Sequence, residues 1–222
     1  MIIPIQKIQL VETLEKLQRI VLKDTKTPIL KNVLLEVKDD RLILTATDLD
    51  RSVSIHINID AVINDIISVT VPVKSFLDTC SLSPSKDLDL FIDQKNGKLI
   101  INSEAFEVTF NGTKKDEFPT LKTKAEILNF PVQQAVLKSA LRKTYYAASS
   151  DETRYILNGC YLSLKSDHQI VFVATDGRRL VQVTNGINET VINDLEIVIP
   201  YKTVCELIKL LSDNGDINVS IF

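Results

Sequence analysis

Two short segments of the chain carry the tripeptide Ala-Thr-Asp between apolar runs, and their carboxylates are the first candidates for chemistry. The segments read ILTATDLDRSVSI (Ile43–Ile55) and VFVATDGRRLVQV (Val171–Val183). Asp48, Asp50 and Asp176 offer the oxygen ligands that Mg²⁺ prefers, so a metal-dependent nuclease is one hypothesis. An Asp that follows Thr at a strand end also caps a turn through its own carboxylate. Because the tripeptide occurs twice, we favour a structural turn over a single active site.

The other chemistry-bearing side chains form no catalytic pattern. His56 and His168 each stand alone among strand-like segments, a setting that does not favour a role as base or metal ligand. The motifs GxxxxGK[ST], GxGxxG and HExxH are absent from the sequence. Cys80, Cys160 and Cys205 are widely spaced among apolar residues, which is typical of reduced thiols in a cytosolic protein. We therefore expect no cofactor, no metal ion and no enzymatic activity.

The composition is that of an ordinary globular chain. Its 222 residues are 45% hydrophobic and 25% charged, and this length suits one large domain or two smaller ones. No apolar run is long enough for a membrane helix, and the N-terminal segment turns charged too early for a secretory signal, so we expect a cytoplasmic protein. A net charge of -3 does not by itself indicate nucleic acid, although a basic face can lie within an acidic total.

The two Ala-Thr-Asp segments belong to an internal duplication. Asp48 and Asp176 are 128 positions apart, and Arg51 and Arg179 match at the same spacing. Downstream, SVTVPVKSFLDTC aligns with EIVIPYKTVCELI, and upstream TPILKNVLLEV aligns with RYILNGCYLSL. Matching blocks in one order indicate a repeated structural unit. We predict domain 1 at residues 1–122 and domain 2 at residues 123–222, with the boundary in the charged segment KKDEFPTLKTKAE.

Each repeat is predicted to contain one long and one short amphipathic helix. The long helices are expected at about Lys7–Leu22 and Gln133–Ala148, and the short ones follow prolines at about Val73–Ser81 and Tyr201–Leu211. The predicted core positions of the long helices are Leu10, Leu14, Leu17 and Val21 in the first and Val136, Ala140, Leu141 and Thr144 in the second.

Strands outnumber these helices and do not alternate with them one for one. We therefore predict an antiparallel α+β fold rather than a doubly wound sheet. Asn96-Gly97 predicts a hairpin turn. Asp87–Ile92 aligns with Asp216–Ile221, where the second repeat stops, whereas the first repeat continues for two more strands. We expect the chain, which ends at Phe222, to be a fragment of a longer protein.

Cations recur on the side of the long helices that faces away from the predicted core. Lys16, Arg19 and Lys23 do so in the first repeat, and Lys138 and Arg142 do so in the second. One such face is usually only a solvated surface. Because both repeats have it, the helices are suited to hold phosphates without reading bases.

The second copy of the turn departs from the first at Gly177-Arg178-Arg179-Leu180. Glycine allows a partner to approach the backbone, and the two arginines place cations beside an apolar side chain. Solvated charges at a strand edge next to a core leucine would give the same residues. The residue types therefore leave a binding site and a plain turn both open.

In their order and spacing, these blocks resemble the β sliding clamp family, the processivity subunits of bacterial DNA polymerase III. The resemblance rests on TPILKNVLLEV, LTATDLDRSV, VPVKSF, FNGTKKDEFP, SSDETRYILNG and VATDGRRL, and covers nearly the whole chain. It implies a DNA-clamp fold, in which repeated domains pack two helices on antiparallel sheets. It also implies a non-catalytic factor with three domains per subunit that closes as a head-to-tail homodimer around duplex DNA. This chain would hold domain 1, most of domain 2 and none of domain 3.

The resemblance further implies two sets of site residues. One set would form half of a pocket for short peptides of the DNA polymerase III alpha subunit, the clamp loader and repair polymerases: Leu157, Thr175, Gly177, Arg178, Arg179 and Leu180. The other set would contact double-stranded DNA independently of its sequence: Lys23, Lys26, Lys138, Arg142, Arg154 and Tyr155. Many family members have His at the position of Arg178, and some have a DNA-facing Arg at the position of Asp24.

Three functional hypotheses follow. The chain is a ring component that tethers a polymerase to DNA, a nuclease that uses Asp48, Asp50 and Asp176, or a duplicated interaction module that never encircles DNA. Metal-dependent DNA cleavage would support the second hypothesis. Salt-sensitive DNA association that is lost on reversal of Lys138 and Arg142 would separate the first from the third.

Overall fold

Each half of the chain opens on a proline-containing strand that leads directly into a helix. The computed structural model describes residues 2–21, 25–119, 128–151, 153–166, 168–187 and 195–221. These residues divide into two units, Met1–Lys122 and Thr123–Phe222, and each has its own hydrophobic core. In the described ranges, no helix has the length and apolar character that crossing a bilayer requires.

Unit 1 packs two helices against antiparallel strands. The elements in chain order are β1 (Ile2–Gln6), α1 (Lys7–Gln18), β2 (Asn32–Thr47), β3 (Ser52–Pro72), α2 (Val73–Leu82), β4 (Asp87–Asp93), β5 (Lys98–Asn102) and β6 (Glu107–Asn111). One sheet has the strand order β1-β4-β5-β6, and β2 and β3 form a second, two-stranded sheet.

Unit 2 repeats this plan with its strands divided differently. Its elements are β7 (Leu128–Gln133), α3 (Gln134–Thr144), a 3-10 helix (Tyr145–Ala147), β8 (Gly159–Lys165), β9 (Gln169–Thr175), β10 (Leu180–Gly186), β11 (Leu195–Pro200), α4 (Tyr201–Leu210) and β12 (Asp216–Ile221). One sheet has the order β10-β9-β8-β11, and β12 pairs with β7. The predicted antiparallel α+β class is confirmed.

The duplication is visible in strand pairing as well as in sequence. The opening strand of each unit pairs with the strand after the short helix, so that Pro4 lies opposite Asp89 and Pro131 lies opposite Asn218. The long strand β2 of unit 1 occupies the positions of β8 and β9 together, and β3 those of β10 and β11. Asp39 (φ +54°), where the register of β2 shifts, corresponds to the region of His168 (φ +62°) between β8 and β9.

The Asn-Gly hairpin turn predicted in unit 1 is confirmed. Strands β4 and β5 pair in register up to Asp93 and Lys98, and Gly97 takes a positive φ of +64°. The side chain of Asn96 donates to Asp93 Oδ2 at 2.7 Å, which closes the turn.

The long helices end earlier than their periodicity predicts. Helix α1 ends at Gln18, and the next residues tighten into hydrogen bonds from Arg19 N to Lys16 O and from Ile20 N to Leu17 O. This tightening turns Ile20 into the core, where it is 2% exposed, whereas Val21, the predicted last core position, is half-buried and packs against that core. The predicted end at Leu22 lies outside the described residues.

The prediction for the second long helix also needs correction. Helix α3 ends at Thr144 and is followed by the 3-10 helix. Its buried positions include Leu137, Ala140, Leu141 and Thr144, whereas Val136 is only half-buried. Leu137 lies three and four residues from Ala140 and Leu141 and so belongs to the centre of the buried face, whereas Val136, four residues from Ala140 alone, lies at its half-buried edge.

The first residue of each long helix ties that helix to the segment after the short helix. In unit 1, Lys7 N donates to Lys86 O at 2.8 Å and Lys7 Nζ donates to Ser83 O at 2.6 Å. In unit 2, Gln134 N donates to Gly215 O at 3.0 Å and Gln134 Nε2 donates to Asn214 O at 3.2 Å. The contact in unit 2 fixes the loop that carries Asp213 beside α3.

We propose that the two units are separate domains, and Leu14 and Leu141 provide a matched test. Both are 0% exposed, and they occupy equivalent positions of α1 and α3. Each change to Ala should destabilise its own unit by about 2–5 kcal/mol, because it removes buried methyl groups and leaves a cavity. Amide hydrogen exchange should show lost protection only in the unit that carries the change. Equal loss in both units would contradict the proposal.

Candidate functional site

The turn between β9 and β10 is held by the side chains of Thr175 and Asp176. Thr175 Oγ1 donates to Arg179 O at 2.7 Å and accepts from Gly177 N at 3.1 Å. Asp176 Oδ1 accepts from Arg178 N at 2.9 Å and from Arg179 N at 3.0 Å. The two side chains therefore satisfy the backbone groups that the sharp turn removes from the strand ladder.

Unit 1 forms the same turn bond for bond. Thr47 Oγ1 donates to Arg51 O at 2.8 Å and accepts from Leu49 N at 3.2 Å. Asp48 Oδ1 accepts from Asp50 N at 3.1 Å and from Arg51 N at 2.7 Å. Among the residues that the structure describes, no group of three or more His, Cys, Asp or Glu side chains is suited to hold a metal ion. The geometry gives these aspartates the role of turn caps.

The two turns differ at the residue that adopts a left-handed backbone. Gly177 has φ +88° and Leu49 has φ +79°. For a residue with a side chain this conformation costs about 1–2 kcal/mol. Glycine removes that cost in unit 2, and a Cβ at position 177 would have no heavy atom within 4 Å, so the backbone there is open to a partner.

Arg179 is held from two sides. Its Nε donates to Asp176 Oδ2 at 3.1 Å, and its guanidinium carbon lies 5.6 Å from the centre of the Tyr146 ring. Backbone donation from Arg178 and Arg179 lowers the pKa of the Asp176 carboxyl, and the Arg179 side chain lowers it further. Asp176 is therefore ionised at neutral pH and can hold Arg179 in place.

A cleft of about 260 Å³ lies between this turn and the segment that follows the 3-10 helix of unit 2. Ala148 and Ala174 belong to a small apolar cluster that packs the segment against β9. Asn158 Nδ2 donates to Ser149 O at 2.7 Å and closes the segment as a loop. The residues lining the cleft are Ala148, Ser149, Ser150, Asp151, Arg154, Asp176, Arg178 and Arg179.

The cleft thus brings together residues from both predicted site sets. Arg154 of the DNA set lines it with Arg178 and Arg179 of the peptide set. The two leucines of the peptide set are absent from its lining: Leu157 is half-buried in the loop, and Leu180 is 63% exposed at the start of β10. The exposure of Leu180 shows that it is not a core residue.

The remaining members of the DNA set differ in how freely they present their charge. Lys138 Nζ pairs with Asp213 Oδ1 at 2.8 Å, and this pairing lowers the pKa of the Asp213 carboxyl, with a smaller contribution from the charge of Arg142. Arg142 and Lys26 are exposed, and Tyr155 is 77% exposed. Lys23 and Asp24 lie outside the described residues.

Comparisons with known proteins identify the family. The model of the "DNA polymerase III beta subunit, N-terminal domain" matches residues 1–122, and that of the "DNA polymerase III beta subunit, central domain" matches residues 131–222. The chain belongs to the DNA polymerase III beta subunit family.

Similar proteins agree with this assignment. The beta sliding clamp of Chlamydia muridarum is 30% identical over 219 residues, which cover 98% of this chain and 58% of that protein. The beta sliding clamp of Buchnera aphidicola is 32% identical, over 94% of this chain and 56% of that protein. A crystal structure of the DNA polymerase sliding clamp from Bacillus subtilis superposes with a TM-score of 0.90 at 28% identity, covering 100% of this chain and 60% of its own. The chain thus spans a little more than half the length of these relatives.

Sequence reasoning missed several residues that shape the site. Tyr146 stacks with Arg179 although the two are 33 positions apart, and Asp213 reaches Lys138 across 75 positions. Asp151 caps its own loop by accepting from Thr153 N at 3.0 Å. Only the Asp151 cap had a local signal, because Ser-Ser-Asp is typical of a turn.

The turn of unit 2 allows a matched glycine test. Gly177 has a positive φ, whereas Gly186 on the neighbouring strand does not, and both have open space where a Cβ would stand. Gly177→Ala should destabilise unit 2 by about 1 kcal/mol, and Gly186→Ala should leave it unchanged or slightly more stable. Urea unfolding measures the stability of both variants, and amide hydrogen exchange in β9 and β10 locates the change. A neutral Gly177→Ala variant would show that the turn does not require glycine.

The causes of the Asp176 pKa shift can also be separated. Its carboxyl should titrate below the ordinary value of 3.8, as followed by the carboxyl carbon resonance. Because the folded-state pKa is depressed, Asp176 stabilises the fold at pH values above the ordinary pKa of 3.8. This contribution is lost as the pH falls through the folded-state pKa. Backbone donors are the largest cause, so Arg179→Gln should leave the pKa below 3.8. A return to the ordinary value in that variant would assign the shift to the side chain instead.

Proposed function

We propose that this chain is the DNA-encircling part of a β sliding clamp, which tethers the replicative polymerase to duplex DNA without catalysing a reaction. The observation that supports this most strongly is the ordered match of two clamp-domain models to residues 1–122 and 131–222. The proposed role also agrees with turn aspartates that cap backbone donors, because a tether needs binding surfaces rather than an active site.

The proposed DNA-contacting residues are cations and one tyrosine on exposed surfaces. Arg142 on α3 and Arg154 with Tyr155 in the loop before β8 present donors to solvent in unit 2, and Lys26 does so in unit 1. Lys138 and Lys23 complete the set that the family resemblance implies. Arginine and lysine contacts to phosphates are independent of base sequence, which suits a protein that must slide.

The proposed peptide site is the surface around the β9–β10 turn. Thr175, Gly177, Arg179 and Leu180 offer an open backbone, a held guanidinium and an exposed apolar side chain. Leu157 and Arg178 complete the set. The partners are short segments of the DNA polymerase III alpha subunit, the clamp loader and repair polymerases. We expect weak binding to this chain, because family resemblance places the other wall of the pocket beyond its two units.

We further propose that the full-length protein is a cytoplasmic, head-to-tail homodimer. The family resemblance supports this assembly, in which domain 3 of one subunit would meet domain 1 of the next. Native mass spectrometry of this chain beside a three-domain member of the family tests the assembly, and a closed dimer is expected only where domain 3 is present.

Charge variants of unit 2 test the DNA contact. The chain should associate weakly with duplexes of unrelated sequence, with an affinity that falls linearly with salt on logarithmic axes. Arg142→Glu should make that plot less steep, reducing the magnitude of its slope by about 1, because the change removes one phosphate contact. Fluorescence anisotropy with a labelled duplex at several salt concentrations measures the slope.

Lys165→Glu is the charge-matched control for this measurement. Lys165 ends β8 and lies 3.9 Å from Glu196, outside the proposed set. The charge reversal at Lys165 should leave the slope nearly unchanged. Equal effects of the two variants would show that the slope depends on net charge and not on a contact of Arg142, which would contradict the proposal. Incubation of supercoiled plasmid with Mg²⁺ tests the nuclease alternative: cleavage that Asp176→Asn abolishes would overturn the proposed function.

A further inference from the structure

The loop that follows the short helix of unit 2 presents an acid to the basic face of α3. Asp213 Oδ1 accepts from Lys138 Nζ at 2.8 Å, although the two residues are 75 positions apart in the chain. The side chain of Asp213 is 81% exposed, whereas that of Lys138 is 18% exposed. The ion pair is therefore open to solvent on the side of the acid.

The position of Asp213 is fixed by hydrogen bonds that do not involve its carboxylate. Gln134, the first residue of α3, accepts from Ser212 N at 2.9 Å and donates through Nε2 to Asn214 O at 3.2 Å. Its backbone N donates to Gly215 O at 3.0 Å. Ser212 Oγ donates to Asn214 O at 2.6 Å. The residues on both sides of Asp213 are thus bonded to α3 or to each other, and the loop keeps its shape without the ion pair.

Unit 1 bonds its long helix to the corresponding loop but has neither charge of the pair. Counted from the first residue of the helix, the position of Lys138 is occupied by Val11 in unit 1. Counted back from the carbonyl that accepts the bond from that first residue, the position of Asp213 is occupied by Pro84. The ion pair is therefore an addition to unit 2 and not part of the repeated scaffold.

A groove of about 380 Å³ lies beside the pair, between α3 and the loop. Lys138, Arg142 and Lys143 line it together with Asp213. Lys138, and to a smaller extent the charge of Arg142, lowers the pKa of the Asp213 carboxyl, so the acid is ionised at neutral pH. An ionised carboxylate among these cations occupies a place that a phosphate oxygen would otherwise take, because both groups accept charge-assisted hydrogen bonds.

We propose that Asp213 competes with the DNA backbone for Lys138 and thereby limits how tightly unit 2 holds a duplex. The inference rests on the proposed DNA contact of α3. A phosphate that reaches the groove can bond to Arg142 directly, whereas it gains Lys138 only when the ammonium leaves Asp213. The released carboxylate also repels the phosphate. Lys138 therefore adds less to the affinity than a lysine without an acid beside it would add.

Neutralising the acid tests this competition. Asp213→Asn keeps the size of the side chain and the bonds of the loop, and it should tighten association with a labelled duplex about two- to fivefold at low salt. The plot of affinity against salt on logarithmic axes should become steeper, its slope growing in magnitude by about 1, because Lys138 now makes a phosphate contact. Fluorescence anisotropy at several salt concentrations measures both changes.

Two further variants assign the gain to Lys138. The double variant of Lys138→Gln with Asp213→Asn should bind nearly as Lys138→Gln alone does, because it has no ammonium to release. Glu196→Gln removes the same charge from β11, where Glu196 lies 3.9 Å from Lys165, and should leave affinity and slope nearly unchanged. Equal tightening by Glu196→Gln, or a gain that persists in full without Lys138, would overturn the inference.

The carboxyl carbon resonance of Asp213 reports the exchange of partners directly. In the free chain it should differ from that of the Lys138→Gln variant, in which the acid has lost its ammonium. Addition of duplex at neutral pH should move the resonance of the unaltered chain toward that of the variant. A resonance that stays in place while anisotropy shows binding would mean that Asp213 retains Lys138, which overturns the inference and leaves the DNA contact of Arg142 standing. If neither the unaltered chain nor Asp213→Asn associates with the duplex, the proposed DNA contact fails and the inference fails with it.

Discussion

The structure around the candidate site depends on one interaction, the acceptance of two backbone N–H groups by a single aspartate oxygen. At Asp176 this interaction closes a turn in which Gly177 holds φ +88°, and the threonine before it satisfies the opposite side of the loop. Without these acceptors, the strands could not reverse within four residues and keep their polar groups paired. The position of both arginines, and hence of the cleft, follows from this closure.

The same closure in both units shows how one scaffold supports different surfaces. Leu49 and Gly177 hold nearly the same backbone angle, but only unit 2 has removed the strain that a side chain causes there. In unit 1 the capping aspartate also pairs with its own arginine, Asp48 Oδ2 accepting from Arg51 Nε at 3.0 Å, as Asp176 does with Arg179. What distinguishes unit 2 is the additional cation, Arg178, at the position where unit 1 has Asp50. The scaffold is therefore shared, and the charge beside it is the variable part.

Features carried by local or repeated signals could be predicted from the sequence. The duplication, the α+β class and the turn role of the Ala-Thr-Asp segments each rest on residues that are close together or occur twice. The exact buried face of the first helix was harder to predict. Hydrogen bonds that span three residues after Gln18 turn Ile20 into the core, and no residue pattern indicates where a helix tightens in this way. Partners far apart in sequence were missed altogether. The stacking of Tyr146 on Arg179 and the pairing of Lys138 with Asp213 depend on tertiary packing that periodicity does not contain.

The pairing of Lys138 changes how the basic face of α3 must be understood. The Lys138 side chain is 18% exposed and its ammonium lies 2.8 Å from the Asp213 carboxylate, so part of its charge is neutralised within the fold. Arg142, one turn further along α3, is exposed and presents its charge to solvent. Under the proposed function this mixture is an advantage, because a tether that slides requires many weak phosphate contacts rather than a few strong ones. An acid such as Asp213 beside these cations weakens each phosphate contact, while the cations together still attract the DNA. The surface charge of such a protein is therefore set by which of its cations the fold has already paired, and a count of lysines and arginines along a helix overstates it.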